Sequence, residues 1–460
     1  MNVHISSNND SRDYITKIQD IIRQNALLVS VIAFLLIKVS IIFLLITLID
    51  ILDISIGPYN QALQTGDILV DILGTRWDSY YYLIIAKSGA YVDPFLPGDT
   101  RIWNFAPLYP LFIRFYMDFW KIFQIEIPVT TAGVIVANFF SLSSTIAFFH
   151  MSRLYLNEEK AIGATLLFSF FPTVFVFSTV AYAEPIFLTF AILSWFFFEK
   201  EKYALSGFTL ALATLGRYPG AIIFFLYFLI YLGRKIRDEG INVVGCLLAI
   251  PLFPILVIIN FMNYLICELN RYPALESKLE VFYHKLTLTQ QKRTKIIEII
   301  DFFDTGLSWV LVFGIIPLIW ILFVNVVGPM PLHEIAYVHW RAQIVFPFAG
   351  FYYMLSVTGD VRWTLEKFAF AVFFIGIGLM ASSKRPSFSL LIIAPVLFYT
   401  SYTGLHAFGL PRYVATIFLG PLVLAEELTS NKIVALLLSF FLIYGFKVLW
   451  EFCNWKIWLI

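Results

Sequence analysis

The residues of this chain with the chemistry to matter are charged groups set in apolar surroundings: Lys38, Asp78, Glu184, Arg217 and Arg412, with His406 close to the last. An ionisable side chain at membrane depth costs about 2.5–3.5 kcal/mol on insertion, so each of them needs a reason to be there. Asp78 lies in RWDSYYYLIIAKSGAY, Arg76–Tyr91. It is open to three readings: a general base, the third position of a capping box begun by Thr75, or half of a surface pair with Arg76. Glu184 lies in VAYAEPIFLTF, ahead of a proline that suits a first helical turn. There it is either a functional carboxylate or an acid favoured by the helix dipole. Arg217, in LATLGRYPG, and Arg412, in GLPRY, are either snorkelling arginines or ligands for an anion such as phosphate. His406 on its own reads as structural. Lys38 falls midway along an apolar run and demands an acid or a carbonyl as partner.

Two carboxylates and two arginines thus gather at helix ends on one side of the map. A cavity that handles an anionic, lipid-linked substrate needs such a set. No GxGxxG or GxxxxGK[ST] loop cradles a nucleotide, and no HExxH or Cys/His cluster has metal spacing. Cys246, Cys267 and Cys453 read as apolar filler.

The elements that must position these groups are membrane helices. The 460 residues are 60% hydrophobic and only 14% charged, with 48 Phe, 24 Tyr and 11 Trp. A soluble domain carries about 25% charged residues. The net charge of +1 argues against a nucleic-acid partner. Apolar runs predict spans at 26–50, 129–152, 161–178, 185–198, 203–216, 219–232, 241–265, 306–327, 341–357, 368–381, 387–402, 412–427 and 432–450. The expectation is an all-α polytopic integral membrane protein of about 11–13 transmembrane helices, one domain over 1–460. The run from Ala26 is too long for a signal h-region and reads as an uncleaved first span.

Lysine and arginine concentrate in Arg153–Lys160, Glu199–Lys202, Gly233–Gly240, Ser382–Pro386 and Thr429–Lys432. The positive-inside rule puts these loops and residues 1–25 in the cytoplasm. Loops 51–128 and 266–304 then fall outside, the first with interfacial helices around Trp77–Ile85 and Leu108–Phe123.

Four blocks carry a family resemblance. RWDSYYYLIIAKSGAY, WNFAPLYPLFIR (Trp103–Arg114), FPTVFVFSTVAYAEPIFLTF (Phe171–Phe190) and LATLGRYPG, in this order, resemble the PIG-V family of the GT-C glycosyltransferase superfamily. GLPRY resembles its Arg-Tyr before a late span. The departures, Tyr182-Ala183-Glu184 for Tyr-Ser-Glu and Arg-Tyr-Pro-Gly for Arg-Ser-Asn-Gly, look more like prokaryotic relatives.

The resemblance implies a GT-C-type bundle and a mannosyltransferase using a dolichyl- or polyprenyl-phosphate-mannose donor. The acceptor is a glycolipid or lipid-linked glycan on the external or luminal face of a cell or endoplasmic reticulum membrane. It implies inversion, and no cofactor or metal. Asp78 matches the catalytic base and Glu184 a second catalytic acid; Arg217, Arg412 and His406 fall to the donor phosphate. Arg76, Trp77, Tyr81, Tyr82, Asn104 and Tyr182 would line the substrate. The competing readings are a transporter or flippase for a lipid-linked sugar, and a non-catalytic subunit of a glycosylation complex.

Overall fold

The computed structural model describes residues 20–52, 63–96, 98–239, 307–340, 342–358, 361–401, 417–428 and 430–454. The described residues fold into helices, with no strand among them. The first is α1 (Ala26–Leu52), whose lipid-suited face leaves Leu36, Val39 and Phe43 exposed. The first loop holds α2 (Ile68–Gly74), α3 (Ser79–Ser88), a 3-10 turn (Thr100–Asn104) and α4 (Leu108–Lys121). Then follow α5 (Val129–Ser152), α6 (Glu158–Ser169), α7 (Pro172–Phe177), α8 (Glu184–Glu199), α9 (Tyr203–Gly216) and α10 (Gly220–Glu239). The C-terminal part holds α11 (Leu307–Val327), α12 (Leu332–Trp340), α13 (Ala349–Thr358), α14 (Val361–Ser382), α15 (Pro386–Thr400), α16 (Leu419–Glu427) and α17 (Asn431–Cys453).

This is an all-α polytopic membrane protein. Among the described residues, four helices are long and apolar enough to cross a bilayer alone, or five if the pair bent by 68° at Gly328 counts as one. The others are shorter, as polytopic bundles tolerate when a helix is buried in protein. The expected span at 161–178 is two helices, broken at Phe170–Phe171 because Pro172 cannot continue the hydrogen-bond ladder. The expected span at 341–357 is not one. Its helix, α13, has 10 residues, about 15 Å against a hydrocarbon core of about 30 Å. The late span expected at 412–427 is described only as the nine residues of α16. The run 241–265, loop 266–304, Cys246 and Cys267 lie outside the described residues.

The basic loops do share one end of the bundle, and ion pairs tie them together. Lys384 meets Glu427 at 2.6 Å and Arg385 meets Glu426 at 2.8 Å. Lys160 donates to the Glu426 carbonyl at 2.8 Å, Arg23 reaches Glu159 at 2.8 Å, and Arg234 pairs with Glu199. Asp78, Glu184 and Arg217 all sit at the opposite end. α11 runs parallel to α9: Phe313 packs on Phe208 near the start of both, and Trp320 donates to the Tyr218 hydroxyl just past the end of α9. The alternation of spans read from the sequence has α11 entering from the Asp78 end; it enters from the basic end.

Candidate active site

The Asp78 turn is built by close packing. α2 begins under Asp67, whose Oδ1 accepts the Val70 N–H at 3.1 Å. It ends at Gly74, where a Cβ would lie 2.2 Å from the Thr130 methyl of α5. Thr75 then closes α2, with its hydroxyl donating to the Asp71 carbonyl at 2.6 Å. The capping-box reading of Thr75 and Asp78 is therefore wrong: Thr75 serves the preceding helix. Asp78 precedes α3, and its carboxylate makes no capping hydrogen bond there. The surface-pair reading fails as well, because Arg76 is fully buried.

Between them Trp77 holds φ at +53°, a left-handed conformation that a bulky residue adopts at a cost of about 1–3 kcal/mol. Such strain persists only where its surroundings impose it, and it clusters at functional sites. Here the turn is pinned by Ser79 N to Arg76 O at 3.1 Å, Tyr80 N to Trp77 O at 3.2 Å, and Asp78 N to the Tyr182 hydroxyl at 3.1 Å.

Tyr182 belongs to the segment between α7 and α8, which is tethered on three sides. Ala181 N donates to Leu73 O at 2.9 Å, and Asn138 Nδ2 to Thr179 O at 3.1 Å. Lys38 Nζ reaches from α1 to Ser178 O and Ser141 Oγ, each at 2.9 Å. The carbonyl partner that Lys38 required is Ser178. The ring of Tyr182 packs on Phe177, Phe452 and Tyr82. Tyr82 in turn meets Tyr109 and Phe105 edge-on.

Two residues beyond Tyr182, Glu184 opens α8. Arg217 caps α9 in extended conformation and donates from Nη1 to Glu184 Oε1 at 2.6 Å. The side chains are 7% and 2% exposed, so this is a buried ion pair. Glycine is required nearby: a Cβ on Gly220 would lie 2.7 Å from the Thr214 Cα. Snorkelling to solvent does not describe Arg217.

Asn104 ends the 3-10 turn and is half-buried, beside Phe105. Arg412 and His406 lie outside the described residues. Sequence reasoning missed a polar group over the Asp78 turn. Asp99 binds Arg101 at 2.8 Å, Arg101 lies over the Tyr81 ring, and His339 Nε2 meets Thr100 Oγ1 at 2.5 Å. Burial outweighs the Arg101 guanidinium and, with the carboxylates of Asp99 and Asp78, pushes the Tyr81 phenol above its ordinary range. Tyr81 is thus a proton donor at neutral pH. Nothing in the local spacing pointed to His339, which stands 239 positions from Thr100.

The arrangement offers a half-buried carboxylate on a turn held by Tyr182, a buried Arg–Glu pair two residues along the chain from Tyr182, and an aromatic, polar rim beside the turn. No protein-family model matches the chain. Over 148 residues it is 26% identical to GPI mannosyltransferase 2 of Schizosaccharomyces pombe, a stretch covering 32% of this chain and 29% of that protein. The chain thus aligns with less than a third of the length of this curated relative.

Proposed function

We propose that this protein is a GT-C-type membrane glycosyltransferase. It moves a mannosyl group from a polyprenyl-phosphate donor to a hydroxyl of a glycolipid or lipid-linked glycan, on the membrane face opposite the basic loops. The observation that carries this reading is the Asp78 turn. A half-buried carboxylate stands on a turn fixed by a strained Trp77 and by the Tyr182 hydroxyl, which accepts the Asp78 N–H. The similarity to a mannosyltransferase supports the same reading.

The transfer is an in-line displacement with inversion. The acceptor oxygen attacks the anomeric carbon and gives its proton to Asp78. The bond from that carbon to the phosphate oxygen breaks, and the electron pair leaves with the polyprenyl phosphate. Arg217 supplies fixed positive charge where negative charge grows. Glu184 holds that guanidinium in place, since the two are bonded at 2.6 Å. The test uses purified protein in nanodiscs with radiolabelled polyprenyl-phosphate-mannose and total lipid of the native membrane as acceptor. Label moved to a second lipid or glycan supports the reading. Label that crosses a vesicle membrane still on its donor lipid, with no transfer, would make the protein a flippase instead.

A further inference from the structure

The polar group over the Asp78 turn has a composition of its own. Asp99 is nearly buried, at 6% side-chain exposure, and clamps Arg101 through Nε at 2.9 and 3.0 Å and Nη2 at 2.8 Å. The Arg101 side chain is 42% exposed. Its guanidinium lies 5.6 Å from the centroid of Tyr81, whose ring stacks on Phe105 at 4.7 Å and takes the edge of Tyr80 at 5.4 Å. The Tyr81 hydroxyl stands 3.5 Å from Asp99 Oδ2. One wall comes from α12, bent by 68° from α11 and fastened by His339 to Thr100. Tyr81 follows Asp78 by three positions on the same helical face, so this rim sits one turn from the proposed base.

Charge decides what such a rim suits. The Arg101 cation is offset by Asp99, and the carboxylates of Asp93 and Asp78 add negative charge around it. A phosphate gains little there. A neutral polyol gains donors from the guanidinium, acceptors from the carboxylate and an aromatic surface, the mix of a few fixed polar groups on apolar walls that orients a small ligand. We propose that Tyr81, Asp99 and Arg101 form the subsite for the neutral sugar headgroup of the acceptor, presenting its hydroxyl to Asp78. This rests on the transfer reading above. The clasp's fixed geometry would select among hydroxyl configurations, because a site built to bond a hydroxyl rejects a ligand that leaves its buried groups unpaired.

The experiment measures binding without any donor, so it is independent of transfer. Nanodisc protein is titrated with methyl α-D-mannopyranoside and, separately, with methyl phosphate, and each affinity is read by ligand-observed NMR. Wild type should bind the mannoside in preference to the phosphate. Arg101→Gln should weaken mannoside binding by about tenfold or more, the loss of a charged hydrogen bond. Tyr81→Leu should weaken it too. Arg114→Gln, which removes an arginine from the neighbouring exposed pair with Asp118, should leave it unchanged. Thermal stability is followed on the same samples; Arg101 is half-exposed, and the folded fraction corrects the affinity. No mannoside binding to wild type, a preference for phosphate lost in Arg101→Gln, or mannoside binding indifferent to both rim variants would each overturn the proposal. Intact mannoside binding with no sugar transfer would sink the transferase reading alone.

Discussion

Arg217 and Glu184 pair across two helix ends: Nη1 donates to Oε1 at 2.6 Å, with both side chains shielded from solvent. Removing one member of a buried pair strands the other charge and costs about 3–5 kcal/mol, whereas removing both costs much less. Glu184→Gln and Arg217→Gln should each lower the thermal midpoint sharply, and the double variant should recover most of the loss. Midpoints measured in one nanodisc preparation close the cycle. Additive losses would mean that the pair does not couple the ends of α8 and α9.

Arg217→Lys keeps the charge and loses the planar fork. The expected outcome is a folded protein whose use of polyprenyl-phosphate-mannose is weakened chiefly at limiting donor. An unchanged donor dependence would leave Arg217 a purely structural partner of Glu184.

Asp78→Asn separates chemistry from folding. Asn matches Asp in shape and keeps one acceptor oxygen, so the substitution should leave the thermal midpoint near that of wild type. An amide does not take up the acceptor's proton at useful pH, so transfer per folded molecule should fall by about 10²–10⁴-fold. Near-normal turnover by a stable Asp78→Asn protein removes Asp78 from the mechanism.

The Asp99–Arg101 clasp sets an acid limit. Burial raises the Asp99 carboxyl, but the hydrogen bonds and charge of Arg101 outweigh it, so the group lies below its ordinary 3.8. A folded-state pKa below the unfolded one contributes stability that is present above about 4 and lost as pH falls through the folded value. Mannoside binding should therefore stay flat from about pH 8 to 5 and fail only below about 4. A decline centred near pH 6 would point to a different titrating group.

The side of the membrane is open to direct measurement. With the native cysteines replaced, Ser88→Cys should react with an impermeant thiol reagent in intact cells, and Lys384→Cys should react only after permeabilisation. Ser88 ends α3 at the Asp78 end, and Lys384 lies among the basic loops with a side chain 59% exposed. The reverse pattern would turn the proposed active site toward the cytoplasm.

The sequence by itself determined the solvent and the loops. A chain this apolar folds in lipid, and the clustering of lysine and arginine in short loops marked those that share one end. The same reading found the Arg76-Trp77-Asp78 turn, because charge is conspicuous in a chain that is 60% hydrophobic and only 14% charged. It also required a partner for Lys38. Only the tertiary structure decided who pairs with whom. Ser178 is 140 positions from Lys38, Glu184 is 33 from Arg217, and His339 is 239 from Thr100. Nothing local encodes such distances, because they depend on which helix ends the packing brings together. Helix periodicity was silent for a related reason: a face toward lipid and a face toward protein are both apolar here. The short α13 and the direction of α11 were therefore settled by packing, as was Asp99–Arg101, whose local spacing resembles any solvated charge pair until Tyr81 and His339 close around it.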